Sequence, residues 1–304
     1  MALVSCELPR TDANIKPGDA VEMAVLLRPI TDDDLDMVAR FLHVHQDSNV
    51  PVDSFRRSFM AHHSEGRPNS GVMLVDGDDV VGVYLAYYSD RMIRGQVQRM
   101  CNLGSWCVLP KYRGHSLKMA KAILTQDGFH FLDLSPTTTV AALNRRLGFE
   151  YLDDRAVILP ALPWPWRAAS ISSDPAVIQQ ALSGEELRLY NDHRNAPAAD
   201  HVVLRDRGDV CYVVLRLVTR RRLPVAIVVH ASRPDVLRRM IHPFVGFALL
   251  RYRVVAVVAE LRWLDGKIPG GSIRRRLRPK MFRSPTLGPG DIDYFYSELL
   301  YLRW

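Results

Sequence analysis

The stretch Trp106–Leu124 reads WCVLPKYRGHSLKMAKAIL, and it decides the fold class of this chain. An apolar run typical of a strand ends at Pro110, the pair Arg113-Gly114 follows, and apolar residues then recur at helical spacing. The first amides of a helix have no partner within the helix and lie at its positive end. A strand that passes through glycine into a helix therefore indicates either an anion-binding turn or an ordinary turn.

The segments around this stretch alternate between strands and helices. Asp76-Gly77 is a strong tight-turn pair between two apolar runs, and a glycine inside a strand, as at Gly104, marks a bulge or a close backbone approach. An irregular arm precedes residue 24. The pattern then predicts, in chain order, a strand at 24–30, helices at 31–45 and 51–66, a hairpin at 71–90, a strand at 97–109, the quoted stretch, a strand at 128–135, a helix at 136–148 and a strand or hairpin at 149–160.

The proline-rich stretch Leu159–Pro175 predicts a domain boundary, with domains at 1–165 and 166–304. Trp164 and Trp166 are expected to be docked aromatic residues. The second half then predicts a helix at 183–195, strands within 201–232, a long helix at 233–253 kinked at Pro243, a strand at 254–264 and a final strand at 292–302. The two halves thus resemble a tandem of α/β modules, the second without obvious chemistry.

The charge of the chain is uneven. The net charge is +7, yet residues 1–165 contain 17 Lys and Arg against 20 Asp and Glu, whereas residues 166–304 contain 23 against 13. Either an anionic partner binds the second half or a basic face is solvated. The four cysteines form no CxxC pair, and apolar stretches fall far short of a membrane span of about 20 residues. We expect a soluble, cytoplasmic protein without a metal or membrane partner.

The quoted stretch resembles the acyl-CoA-binding segment of GNAT N-acetyltransferases, which has the pattern Val-x-Pro-x-Tyr-Arg-Gly before a helix. The matching residues are Val108, Pro110, Tyr112, Arg113 and Gly114, and later Leu147, Gly148 and Phe149. The resemblance covers about residues 24–160. It implies an α+β mixed sheet in two GNAT-like modules in tandem, the second degenerate, and acetyl-CoA or another acyl-CoA as co-substrate.

The resemblance also implies the residues that bind acyl-CoA. They are Trp106, Cys107, Val108, Lys111, Arg113, Gly114, His115, Ser116, Leu117, Lys118 and Asn144. Ser116 and Lys118 stand where the family has its second and third glycines. Serine keeps an amide and adds a hydroxyl, while lysine either adds a charge for phosphate, crowds the turn or is simply solvated. The corresponding helix start in the second half, Ala231–Met240, has Pro234 and Asp235 instead of glycine. Because Asp235 would repel phosphate, we predict one CoA per chain.

The usual acid and base of the family are absent from their expected places. Asn144 stands where the family often has a tyrosine acid, and the strand before the phosphate turn has no glutamate. Asn144, Asp133 and Cys107 are our candidate catalytic residues, with His115 and Tyr84 as substitutes. Each also has a structural interpretation: Cys107 as core, Asp133 as a cap or loop-orienting group.

The second half carries three basic clusters, at Arg220–Arg222, at Arg274–Arg276, and at Arg278, Lys280 and Arg283. These could contact CoA phosphates, nucleic acid or an acidic protein, or form a solvated surface. Aromatic residues that would stack bases are not interleaved with them, which argues against nucleic acid.

Two functions follow. The first is an N-acyltransferase that acts on a small-molecule or peptide amine. The alternative is a non-catalytic acyl-CoA-binding or scaffold protein with a basic interaction surface. The sequence leaves homodimer formation open.

Overall fold

The computed structural model describes residues 25–59, 66–153, 155–165, 170–264, 270–275 and 279–303. The expected N-terminal arm and Trp166 lie outside these residues. The strands are β1 (Leu26–Pro29), β2 (Gly71–Asp76), β3 (Asp79–Ile93), β4 (Gln96–Val108), β5 (His130–Asp133), β6 (Glu150–Tyr151), β7 (Arg155–Pro160), β8 (Ile171–Ser172), β9 (Asp200–Asp206), β10 (Asp209–Arg220), β11 (Leu223–Ala231), β12 (Ala256–Glu260), β13 (Ser272–Arg275) and β14 (Met281–Arg283). The helices are α1 (Leu35–His45), α2 (Val52–Phe59), α3 (Ser116–Leu124), α4 (Thr138–Arg146), α5 (Pro175–Ala181), α6 (Gly184–His193), α7 (Pro234–Arg239), α8 (Ile241–Tyr252) and α9 (Glu298–Tyr301).

Two mixed sheets of the same design make up the fold, which confirms the predicted α/β class and its tandem modules. The first sheet has the order β1-β2-β3-β4-β5-β14-β6, and the second has β8-β9-β10-β11-β12-β7-β13 when read from its other edge. In each sheet the fourth and fifth strands are parallel, β4 with β5 and β11 with β12, and the other pairs are antiparallel.

The two halves exchange one strand each. β7, which precedes the predicted boundary at residue 165, lies in the second sheet between β12 and β13. β14, which comes from the second half, lies in the first sheet between β5 and β6. Residues 149–160 therefore form not a hairpin but two strands in different sheets. Sheet membership does not follow the sequence boundary, and the two-domain division stays a prediction.

Two other elements differ from expectation. The long helix of the second half is two helices, α7 and α8, broken at Met240 rather than kinked at Pro243. Pro243 lacks the amide that would bond the carbonyl of Arg239, and its ring opposes that carbonyl, so the first helix ends there. The expected final strand at 292–302 is wrong as well: residues 292–297 form no strand, and α9 follows.

Both faces of the first sheet are covered. α1 and α2 pack on one face with Val83 and Leu85, and residues of the second sheet such as Tyr212 belong to the same apolar cluster. α3 and α4 pack on the other face with Tyr84 and Ala86. The gap between β4 and β5 is thus bounded by α3 and α4 on one side and by α1, α2 and the second module on the other.

Candidate functional site

β4 and β5 separate at the centre of the first sheet. They pair only from Met100 to Leu103 on β4, although β4 continues to Val108. Beyond this point Leu85 pairs with Gly104 and Tyr84 with Trp106, so Ser105 is an extra, bulged residue with a φ of 46°. A bulge turns the strand away from its neighbour. The interruption that Gly104 predicts in this strand is therefore the point at which β4 turns away from β5. We call the gap that opens there the splay.

The turn before α3 differs in detail from the expected anion site. Residues 110–115 form a 3-10 helix, so α3 begins at Ser116 and not at Gly114. The amide of Ser116 donates to the carbonyl of Arg113, which removes one of the amides expected to be free. The Tyr112 hydroxyl donates to Asp76 Oδ2 at 2.5 Å and fixes the turn to the β2–β3 hairpin.

The turn still offers room and positive charge for an anion. A Cβ on Gly114 would meet no atom within 4 Å. The side chains of Lys111, Arg113 and Lys118 are exposed around it. Leu117 is 42% exposed, whereas Met119, Ala120, Ile123 and Leu124 of α3 are buried in the core. Leu117 therefore lies on the surface beside this turn.

The other predicted acyl-CoA residues follow β4 out of the sheet. Trp106, Cys107 and Val108 are half-buried past the bulge, and the Trp106 ring stacks on Tyr84 with centroids 4.1 Å apart. His115 and Ser116 are half-buried at the start of α3. Burial raises the pKa of the Cys107 thiol to about 11, with Arg113 opposing the rise. Cys107 is thus a neutral thiol at neutral pH, which argues against a nucleophilic role.

The structure brings Asp133 and Asn144 together. Asn144 Nδ2 donates to Asp133 Oδ2 at 2.7 Å, and both side chains are buried. Asp133 ends β5 where the strands separate, and Asn144 reaches it from α4. Burial raises the pKa of Asp133 to about 7, the Asn144 hydrogen bond lowers it, and the nearby Glu298 raises it further. This carboxyl can therefore hold or release a proton at neutral pH.

Glu298 is the site residue that sequence reasoning missed. It begins α9, is 4% exposed, and accepts a hydrogen bond at Oε1 from the Ser135 hydroxyl. A Cβ on Gly104 would lie 2.0 Å from Glu298 Oε2, so only glycine at that position of β4 leaves room for the carboxyl. The sequence signals Glu298 only as a single carboxylate in the largely apolar run YFYSELLYL. This pattern does not indicate that Glu298 packs against Gly104 of β4.

The segment before α9 carries Glu298 into the splay. Asn102 Nδ2 on β4 donates to the carbonyls of Phe295 and Tyr296, at 3.2 and 3.1 Å. The Tyr296 amide donates to His193 Nε2 on α6 at 3.1 Å. Arg91 on β3 pairs with Asp293 at 2.7 Å. Both modules therefore hold this segment, and with it the position of Glu298.

The corresponding helix start in the second module carries a paired carboxylate. Its helix α7 starts at Pro234, and Asp235 in its first turn pairs with Arg233 and Arg239 at 3.1 and 3.0 Å. A carboxylate already occupies the place where an anion would bind, and it would repel phosphate.

The predicted basic clusters are only partly surface features. Arg220–Arg222 are exposed at the β10–β11 turn. Lys280 is instead buried, with its Nζ 2.6 Å from Glu260 Oε1, because it leads into β14 inside the first sheet. Arg283 is half-buried near the Phe131 ring. The side chains of Arg274–Arg276 and Arg278 lie outside the described residues. Lys280 therefore does not belong to an interaction surface.

Two further findings concern other ligands. Among the described residues, no group of three or more His, Cys, Asp or Glu side chains is arranged to hold a metal ion. In the same part of the chain, no helix combines the length and apolarity needed to cross a bilayer.

The fold is shared with solved structures of low sequence identity. No protein-family profile matches the sequence, and the comparison with curated proteins gives no match. The chain aligns over 87% of its length with 72% of a GCN5-related N-acetyltransferase from Kribbella flavida, at 17% identity and a TM-score of 0.53. For a GCN5-related N-acetyltransferase from Anabaena variabilis the shares are 86% and 72%, at 15% identity and a TM-score of 0.52.

A third similar structure is N-myristoyltransferase from Saccharomyces cerevisiae, solved with bound myristoyl-CoA. The alignment spans 97% of this chain and 88% of the N-myristoyltransferase chain, at 11% identity and a TM-score of 0.50. These likenesses cover 86–97% of the chain. The chain therefore has the fold of the GCN5-related N-acetyltransferases, with two modules in tandem.

Proposed function

We propose that this protein transfers an acetyl or other acyl group from acyl-CoA to an amine of a small molecule or peptide. The observation that carries the proposal is the buried Asp133–Asn144 contact at the point where β4 and β5 separate, on the same sheet face as α3. A proton-carrying group thus lies in the gap beside the turn that resembles an acyl-CoA site. The three free cysteines of the described residues fit the cytoplasm as the compartment.

Acyl-CoA would bind across this edge of the first module. The exposed cations Lys111, Arg113 and Lys118 and the open space at Gly114 suit the diphosphate. Trp106, Cys107 and Val108 offer the splayed end of β4 to the pantetheine arm. Asn144 adds an amide at the inner end, and Ser116 and His115 complete the turn. Asp235 at the start of α7 would repel a second diphosphate, which predicts one acyl-CoA per chain.

The chemistry requires a neutral amine and a route for two protons. The amine nitrogen attacks the thioester carbon, the C–S bond breaks, and the thiolate takes a proton. Burial raises the pKa of Asp133 on this face to about 7, so its proton can exchange near neutral pH. Asn144 holds its Oδ2 and is a positioning residue, since an amide cannot supply an acidic proton.

The test of function is thiol release from acetyl-CoA and longer acyl-CoAs against a panel of amines. The panel includes aminoglycosides, polyamines, amino acids and peptide N-termini. Release above the hydrolysis background with at least one amine supports an N-acyltransferase. Tight acyl-CoA binding without release for any amine would favour the alternative, a non-catalytic acyl-CoA-binding or scaffold protein.

Replacing Gly114 by glutamate should abolish CoA binding and leave the fold intact. The new side chain fills the open space and adds a negative charge beside the expected diphosphate. Calorimetry on the wild type should give one CoA per chain. Gly290→Glu is the matched control, because Gly290 is also exposed and a Cβ there meets nothing within 4 Å. Unchanged CoA affinity in Gly114→Glu would refute the phosphate site, and two CoA per chain would refute the single site.

A further inference from the structure

Two buried carboxyl groups from different modules meet at the splay. Asp133 is 6% exposed and Glu298 is 4% exposed. Ser135 lies between them: its amide donates to Asp133 Oδ1 at 3.4 Å and its hydroxyl donates to Glu298 Oε1. Glu298 Oε2 is buried and makes no hydrogen bond of ordinary geometry to the described residues, although Ser105 lies close enough to lower the pKa of this carboxyl. Of the four carboxyl oxygens of the two residues, Glu298 Oε2 is thus available to accept a proton.

The surroundings oppose two negative charges at this place. Tyr84 of β3 lies close enough to both carboxyls for their charges to act on it, and Glu298 also faces Tyr87 of β3 and Arg216 of β10. Cys101 of β4 lies near Tyr84, and Tyr301 of α9 lies near Tyr87. Burial raises the pKa of each of these tyrosines and of Cys101, so they are neutral at pH 7. Among the charges that act on the pair, Arg216 is the cation. Two ionised carboxyls would leave one charge uncompensated in a buried site.

We propose that Asp133 and Glu298 hold a single proton between them and together carry out both proton transfers of the acyl transfer. This inference rests on the proposed function. Asp133 is bonded to Asn144 of α4, so it lies on the face of α3 and the acyl-CoA turn. Glu298 reaches the gap from α9, whose Leu299 and Leu300 pack in the cluster of α1 and α2 on the other face. Because Asp133 lies on the face of the acyl-CoA turn, we assign it the acid role toward the thiolate. Glu298 reaches the gap from the other face, and we assign it the base role toward the amine.

The proton balance closes within the pair. The reaction begins with Asp133 protonated, Glu298 ionised and the amine neutral. The C–N bond forms, the nitrogen gives one proton to Glu298, the C–S bond breaks, and the thiolate takes the proton of Asp133. Amide and free thiol leave, and the pair holds one proton as before, now on Glu298. The starting state returns when that proton moves back to Asp133.

The single-proton pair is testable without any activity. Carboxyl ¹³C NMR on the full chain follows the titration of Asp133 in the wild type and in Glu298→Gln. Because burial and the neighbouring carboxylate both raise the pKa of Asp133, removing Glu298 should lower its midpoint by about one unit or more, the size expected for coupled groups. An Asp133 midpoint unmoved by Glu298→Gln would overturn the pair.

Gly104→Ala tests the same contact without replacing either carboxyl residue. The Cβ would lie 2.0 Å from Glu298 Oε2 and must displace it, so the Asp133 midpoint should shift as in Glu298→Gln. Gly290→Ala, whose Cβ meets nothing within 4 Å, should leave the midpoint unchanged. Circular dichroism and unfolding curves show whether each variant is folded. A folded Gly104→Ala variant with the wild-type midpoint would count against the pair.

The roles are tested by the pH dependence of thiol release with the amine that gives the highest rate. Glu298→Gln should lose the acidic limb of a bell-shaped profile and Asp133→Asn the alkaline limb, each with a fall in kcat of about 10²–10⁴. Wild-type profiles in both variants would refute the roles. A wild type that transfers to no amine would refute the proposed function instead, and the NMR titration would still decide whether the two carboxyls share a proton.

Discussion

Two carboxyl groups of the first module have opposite protonation behaviour because of what surrounds them. Asp34 accepts two hydrogen bonds from the Arg28 guanidinium, each at 2.7 Å, and these hold the pKa of Asp34 well below its usual range. Burial, together with the nearby Glu298, raises the pKa of Asp133 to about 7 against the opposing hydrogen bond from Asn144. Local partners therefore decide which carboxyl is a fixed charge and which carries a proton.

Replacing Asp133 by asparagine should make the protein less sensitive to pH. Between about pH 4 and 7 the folded wild type keeps a proton on Asp133 that the unfolded chain has lost, so stability falls as the pH rises through this window. A shift of about three pKa units corresponds to roughly 4 kcal/mol, an upper value. Urea unfolding should show that the free energy of unfolding of Asp133→Asn, relative to that of the wild type, is about 2–4 kcal/mol higher at pH 8 than at pH 4.

Asp34→Asn is the control for this prediction because its sign is opposite. The lowered pKa of Asp34 stabilises the fold above the unfolded pKa, and that stability is lost as the pH falls. Asp34→Asn should therefore differ from the wild type by a nearly constant amount between about pH 5 and pH 8, and by less as the pH falls below about 4. A constant difference between Asp133→Asn and the wild type from pH 4 to pH 8 would contradict the raised pKa.

At the scale of elements, the exchange of β7 and β14 is the feature that ties the halves together. Each exchanged strand lies between the fifth strand and the last strand of the other sheet. Met281 and Phe282 pair with β5 on one side and with β6 on the other. Removing β14 would leave edge backbone groups of both neighbours unpaired.

Separating the chain after residue 165 should therefore yield no independently folded first module. Fragment 1–165 retains β7 but lacks β14, and fragment 166–304 has the reverse composition. Expressed alone, each should be insoluble or lack a cooperative unfolding transition, whereas the two expressed together should purify as one complex. Circular dichroism and size-exclusion chromatography measure this. A monomeric, cooperatively folded 1–165 fragment would show that the exchange is dispensable.

Across the whole molecule, a buried ion pair connects the two sheets. Glu260 ends β12 in the second sheet, and Lys280 precedes β14 in the first. Their Nζ and Oε1 atoms are 2.6 Å apart, Arg262 Nε lies 2.9 Å from Oε2, and the Lys280 ammonium lies 3.8 Å from the centre of the Tyr294 ring. This group fixes the exchanged strand at the boundary between the modules.

Lys280→Met should destabilise the protein by about 3–5 kcal/mol, the cost of removing one partner of a buried pair. Urea unfolding at pH 7 measures the change. Lys121→Met on the exposed side of α3 is the matched control, and it should stay within about 0.5 kcal/mol of the wild type. An equal, small effect of both substitutions would show that the ion pair does not join the sheets energetically.

The sequence alone determined the local parts of this protein. The β2–β3 hairpin, the interrupted strand β4, the passage from β4 into α3 and the end of α4 near Gly148 all depend on neighbouring residues, so their patterns predict them. The motif in Val108–Gly114 predicted the fold through its resemblance to the acyl-CoA-binding segment of GNAT N-acetyltransferases. Asp133 and Asn144 were found because both lie on elements that the motif positions.

Only the tertiary structure decided the exchange of strands, the burial of Lys280 and the place of Glu298. The run at 292–302 is rich in the apolar and aromatic residues of a strand, yet its backbone groups bond to Asn102 and His193, and Tyr296 has a φ of 52° that ends the extended chain. Gly104 and Glu298 are far apart in sequence, and neither pattern carries information about the other. Such contacts arise from packing between modules, which local periodicity cannot encode.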